Sequence, residues 1–161
     1  MTTTQLRVLV FDTTSTIPPA ASPNVQPGGS VAAQRYTTHL KRKAKRDLRA
    51  IGWGMVNAYA HGVHLERARI TVTLKVCRHG EQRLTRAYPA FRPRDVDNLV
   101  ASLKGLFDGF VDARLIPDDD AAHLVQGESG FEEVATPFLE GLRVMVEELA
   151  PVPEDGTGGA E

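Results

Sequence analysis

One cysteine, Cys77, stands in 161 residues, so no disulfide can form within the chain. A packed core must hold the fold, and this length is enough for one domain with such a core. A single thiol fits a reducing, cytoplasmic setting. No apolar run approaches the roughly 18 to 20 residues of a membrane span. The opening "MTTTQLR" lacks the basic and apolar regions of a signal peptide. There is no glycine-rich phosphate loop ending in Lys-Ser/Thr and no G-x-S-x-G elbow. Zinc is poorly served, since Cys77 and five scattered histidines offer no paired-ligand spacing; His61 and His64 read as surface or turn residues. A calcium loop starting at Asp95 would want Asp or Asn at Leu99, Gly at Val100 and Glu at Leu106.

Acid is scarce in the first part of the chain and base in the second. Residues 1 to 94 hold 16 Lys and Arg against 4 Asp and Glu, a balance of +12. Residues 95 to 161 hold 3 against 16, a balance of −13, and together they leave a net charge of −1. This segregation suggests a polyanion-binding surface beside an acidic centre. The plainer alternative is that the two halves neutralise each other in the fold.

"QLRVLVF", Gln5 to Phe11, reads as a first strand with apolar residues on both faces, hence a central one. "TIPPAASPNVQPGGS", Thr16 to Ser30, is a proline-rich loop. A helix is expected from about Val31 to His61 with Ser30 as N-cap, bent or interrupted at Gly52 and Gly54. Between Arg35 and Arg49 it carries seven basic residues and one acid, Asp47. Lys41, Lys45 and Arg49 form one stripe, with Arg42 and Arg46 beside it. Like charges at that spacing destabilise a helix, so either solvent or a phosphate backbone must meet this face. "RARITVTLKVC", Arg67 to Cys77, alternates as a strand, and a further strand is expected between "RHGEQ" and "RPRD". "AHLVQGE" and "LRVMVEEL" read as strands, although the second also fits a helix. Residues 1 to 150 make one domain, and the acidic, Pro- and Gly-rich tail 151 to 161 is expected to be disordered.

Asn98 to Val111 reads as an amphipathic helix whose core face is Leu99, Leu103, Leu106 and Phe110. At about 100° per residue, Asp97, Lys104 and Asp108 fall within about 20° of one another on the opposite face. Asp95 and Asp97 stand just before this helix, and Asp118, Asp119 and Asp120 stand side by side after it. A helix N-terminus tolerates negative charge, but a cap needs only one carboxylate. The surplus suits a hard cation, Mg²⁺ or Mn²⁺, bridged to a substrate phosphate.

These residues carry a resemblance. "RDVDNLVASLKGLFDGFVDARLIPDDD", Arg94 to Asp120, resembles the signature of RusA-family Holliday junction resolvases, especially phage-encoded members. Asp95, Asp97 and Asn98 match the start of the family pattern, Lys104 and Asp108 its middle, and Asp118 and Asp119 its end. "PPAASPN", Pro18 to Asn24, is similar to the family's Pro-Pro-x-Ser-x-Asn loop. In the founding type the Lys follows the second Asp by four residues, whereas Lys104 follows Asp97 by seven. That moves it about 4.5 Å along the helix on the same face.

The resemblance implies an α+β domain, a mixed sheet packed by two principal helices, that forms a homodimer. It implies Mg²⁺-dependent hydrolysis of phosphodiesters at the crossover of a four-way DNA junction, in a bacterial or phage-infected cell. Asp95, Asp97 and Asp119 would be metal ligands, Asp118 an outer or alternate ligand, and Lys104 the phosphate-stabilising cation. Arg35, Lys41, Arg42, Lys45, Arg46 and Arg49, with Arg92 and Arg94, would hold the DNA arms. Two alternatives remain at this stage. One is a DNA-binding protein without catalysis; the other is an interaction protein whose acidic half meets a basic partner.

Overall fold

The computed structural model describes residues 6–15, 28–77 and 96–151, with the side chains of residues 96–98 and Pro137 left aside. Among the described residues five strands form one mixed sheet: β1 (Val8–Thr13), β2 (Ala68–Cys77), β3 (Leu124–Gln126), β4 (Gly130–Val134) and β5 (Gly141–Glu148). The helices are α1 (Val31–Tyr59), α2 (Val96–Ser102) and α3 (Lys104–Asp112). The outcome is a single compact α+β domain with two main helical bodies, as expected. Among the described residues no helix is long and apolar enough to cross a membrane.

Strand β2 is paired along both edges, and its alternation buries one whole face. Ala68, Ile70, Val72, Leu74 and Val76 are all buried on one face. It pairs antiparallel with β5, and parallel with β3 and then β4 along its other edge. Between those two short partners the ladder is completed locally. Gly127 donates its N–H to Ile70 O at 2.8 Å, and the buried Ser129 hydroxyl accepts from Val72 N at 3.2 Å. A buried backbone donor without an acceptor would be costly, so Ser129 replaces a strand carbonyl there. "LRVMVEEL" is the strand β5, with Leu142, Val144 and Val146 buried.

The central position expected of the first strand is not found among the described residues. Within them β1 lies at the end of the order β1-β5-β2-β3 and pairs with β5. Phe11 is 1% exposed, but Val8 and Val10 on the other face are each 57% exposed. Apolar residues on both faces thus do not place this strand inside the sheet. The same open face carries charge: Lys75 pairs with Asp12, and Arg143 reaches both Asp12 and Glu132.

Helix α1 starts where expected, with Ser30 Oγ accepting from Ala33 N at 3.1 Å, and runs unbroken for 29 residues. Gly52 does not interrupt it. A Cβ there would collide with Leu106 O of α3, and one on Gly109 would collide with Arg49 O of α1. Glycines on both helices let the two backbones approach closely over the core, as small residues at helix contacts do. The expected continuous helix Asn98–Val111 is instead two helices that meet at Leu103. Leu103 N–H bonds Val100 O three residues back, a tighter turn that still leaves Leu99, Leu103, Leu106 and Phe110 fully buried. The proline-rich loop to residue 27, the strand expected before "RPRD" and the tail from residue 152 fall outside the described residues.

Candidate phosphate and metal site

Burial of Leu103, Leu106 and Phe110 fixes the rotation of α3 and turns Lys104 and Asp108 away from the core. The chain then reverses through a Schellman motif, with Arg114 in the left-handed region at φ 60°. Leu115 N–H bonds Phe110 O at 3.0 Å and Arg114 N–H bonds Val111 O at 2.9 Å. Leu115 and Ile116 are buried, which pins the start of the returning loop. That reversal carries the aspartates back alongside the helix they follow.

Lys104 Nζ lies 2.6 Å from Asp119 Oδ2 and 3.8 Å from Asp108 Oδ1. On the far side of Asp108, its Oδ2 lies 2.8 Å from Lys45 Nζ of α1. Lys45, Asp108, Lys104 and Asp119 therefore alternate in sign across α1, α3 and the loop. The Lys104 ammonium is held above its ordinary value, first by the hydrogen bond to Asp119 and further by the charge of Asp108. Asp119 lines an open depression of about 440 Å³ with Ala101, Lys104, Phe107 and Gln126. Its carboxylate keeps 22% exposure, so its oxygens are hard donors within reach of solvent.

The three adjacent aspartates have different environments. Asp118 Oδ1 accepts from Asp119 N at 2.7 Å, which orients the loop while Asp118 stays exposed. Asp120 caps the following turn: its Oδ1 accepts from Ala122 N, His123 N and the His123 ring at 3.0, 3.1 and 2.7 Å. The His123 hydrogen bond holds the Asp120 carboxyl below its ordinary range. Asp120 is thus committed to the backbone, and Asp119 is the member turned toward Lys104.

Helix α1 presents the basic groove. His39, Arg42, Lys45, Arg46 and Arg49 line a depression of about 500 Å³. Arg35, Thr38, His39 and Arg42 line an adjoining one of about 540 Å³ nearer the helix start. Part of this charge is answered within the fold: Lys43 pairs with Asp47, Lys45 with Asp108 and Arg49 with Asp112. Arg49 holds the Asp112 carboxyl low, and Asp112 holds the Arg49 guanidinium high. The mutual neutralisation read as the plainer alternative therefore does occur along the α1–α3 contact. Among the described residues, Arg35, Lys41, Arg42 and Arg46 have no ion-pair partner.

Of the expected site residues, Lys104 and Asp119 are brought together, and Asp118 is beside them. Asp97 is in the first turn of α2, but its side chain, like all of Asp95, Arg92 and Arg94, lies outside the described residues. Among the described residues no three His, Cys, Asp or Glu side chains converge as a metal cluster. Asp108, placed by the sequence on one polar face with Lys104 but given no role, bridges Lys104 and Lys45. His39 also lines both basic depressions, and nothing in the sequence but its place on that face points to it. Comparison of the chain with known protein families, with curated proteins and with solved structures finds no match.

Proposed function

We propose that the chain is a Mg²⁺-dependent endonuclease that resolves four-way DNA junctions by paired phosphodiester hydrolysis, with Mn²⁺ as a substitute. The observation that carries the reading is the meeting of Lys104 and Asp119, 15 residues apart, in a depression linked through Asp108 to the basic groove of α1. A phosphoryl-transfer site needs a hard-ligand carboxylate, a cation for a phosphate oxygen and a surface for the polyanion. Asp95, Asp97, Asp118 and Asp119 are the residues that would hold the metal. When bound, it would lower the pKa of a water and offset charge developing on the phosphate.

The rest belongs to the chain's own side chains. Lys104 exchanges Asp119 for a phosphate oxygen when DNA arrives, and Asp108 keeps the ammonium from swinging away. Arg35, Lys41, Arg42 and Arg46 contact flanking phosphates. A four-way junction has near two-fold symmetry, so two matched nicks call for two copies of the site, hence a homodimer. The test is a labelled four-way junction and a linear duplex, each incubated with and without Mg²⁺. Paired nicks on the junction alone, and only with Mg²⁺, support the reading.

A second reading is a DNA-binding protein without catalysis. The α1 groove favours it, because its cations require no metal to hold a phosphate backbone. Tight junction binding with no nicking would select it.

A further inference from the structure

Trp53 is the chain's single tryptophan, and the residue is 51% exposed on α1. Tyr36, Tyr59 and Phe138 are more exposed still, so exposure alone does not single Trp53 out. Its neighbours along the helix give it a context. Arg35, Arg42, Arg46, Arg49 and Trp53 are separated by 7, 4, 3 and 4 residues. At about 100° per residue all five fall within an arc of about 60°, so they form one straight stripe. The first four line the two adjoining basic depressions, Arg49 while also paired with Asp112, and Trp53 follows at their end. From Arg35 to Trp53 the stripe is about 27 Å long, the rise of about eight stacked nucleotides in one strand.

The ordinary role for such a ring is to cover the contact between α1 and α3. The close approach there is already made by backbone: a Cβ added to Gly109 would meet Arg49 O and, at 2.9 Å, Trp53 N. The Trp53 main chain lies at that contact, and the residue as a whole still keeps 51% exposure.

We infer that Trp53 is a stacking platform for an unstacked nucleobase of branched or single-stranded DNA, placed at the end of an arginine track that follows the phosphates. An aromatic face at the end of a cationic groove is the arrangement that holds unpaired strands, because every base has a π-face whatever its sequence. A fully paired duplex offers no free base face, so this contact would distinguish open from closed DNA where phosphate contacts cannot. The inference rests on the DNA-binding part of the proposed function and not on the metal chemistry.

Because Trp53 is the sole tryptophan, emission reports this side chain alone. The full chain is titrated in EDTA with single-stranded oligo(dT), a four-way junction and a blunt duplex at one moderate salt concentration. Strong quenching by oligo(dT) and the junction, and little by the duplex, is the expected result. Trp53→Ala should weaken oligo(dT) binding roughly 5- to 150-fold, the range for losing one base-stacking aromatic. It should leave duplex binding near wild type, and Trp53→Phe, which keeps a π-face, should restore oligo(dT) binding. Unchanged emission at saturating oligo(dT) overturns the inference without recourse to any variant. Equal losses on oligo(dT) and duplex, with no rescue by Phe, also overturn it and assign Trp53 to the helix contact. Cleavage in Mg²⁺ is scored separately: quenching without cleavage removes the nuclease reading alone, and cleavage without quenching removes the stacking site alone.

Discussion

Leu115 N–H donates to Phe110 O at 3.0 Å, closing the turn that sends the chain back past Lys104 toward Asp119. The residue at the bend is Arg114 at φ 60°, where an L side chain crowds its own backbone. Arg114→Gly should therefore stabilise the fold by about 1 kcal/mol, visible as a rise in Tm. A fall in Tm would mean that the arginine side chain contributes more than the strained backbone costs.

Glycines at and away from the contact between the helices should behave oppositely. Gly109→Ala forces α3 against Arg49 O of α1 and should cost about 1–3 kcal/mol by overpacking. Gly54→Ala sits on the same helix as Gly52 with nothing within 4 Å, so it should stabilise by about 0.5–1 kcal/mol. Chemical denaturation of both variants checks the pair. Similar effects for the two would contradict the close helix approach.

These contrasts show what the sequence could and could not reveal. The alternation of Ile70, Val72, Leu74 and Val76 specified a buried strand because a period of two has one meaning. The stripe Leu99, Leu103, Leu106, Phe110 survived even the break at Leu103, since one tight turn hardly changes which side faces the core. The first strand misled because Val8 and Val10 are apolar yet exposed, and hydropathy cannot report which face of a sheet is left open. Gly52 looked like a helix breaker because its partner, Leu106 O, is 54 residues away. The candidate site was legible as spacing and motif but not as contacts: three adjacent aspartates look alike in sequence, and tertiary contacts alone separate Asp119 on Lys104 from Asp120 on its own turn.

Acid should weaken the fold by an identifiable route. The hydrogen bond from Arg7 holds the Glu148 carboxyl below its ordinary value of 4.5, and Arg49 holds Asp112 below 3.8. Asp12 is also held low: burial alone would raise it, but Lys75 and Arg143 together outweigh burial. For a depressed carboxyl, the stabilisation is complete above its unfolded pKa and is lost as pH falls through its folded pKa. Tm should thus be flat near neutrality and begin to fall as pH drops below about 4.5. Glu148→Gln should lower Tm at pH 7 and flatten the acid limb; an unchanged acid limb would show that the Arg7 pair adds nothing.

Salt dependence separates free cations from paired ones on α1. Arg42→Ala and Arg46→Ala should each reduce the log–log salt slope of duplex binding by about 0.9. Arg49→Ala should weaken binding without salt as well, because it also leaves Asp112 uncovered beside the DNA. Neutralising Lys41, Lys45 and Arg49 together should weaken binding to every DNA tested. An unchanged slope in all these variants would assign the face to solvent.

The measurement closest to the central claim is junction cleavage by Asp119→Asn in Mg²⁺, set beside Asp120→Asn and wild type. Asp119→Asn keeps the side chain's size, removes a hard anionic donor and leaves Lys104 with Asp108 alone among the carboxylates described around it. Cleavage should fall by orders of magnitude, while junction affinity holds or rises, because one negative charge beside a phosphate backbone is gone. Asp120→Asn should lose some thermal stability through its turn and retain most cleavage. Wild-type cleavage by Asp119→Asn beside a dead Asp120→Asn would contradict the assignment, and full activity in both would contradict the metal site.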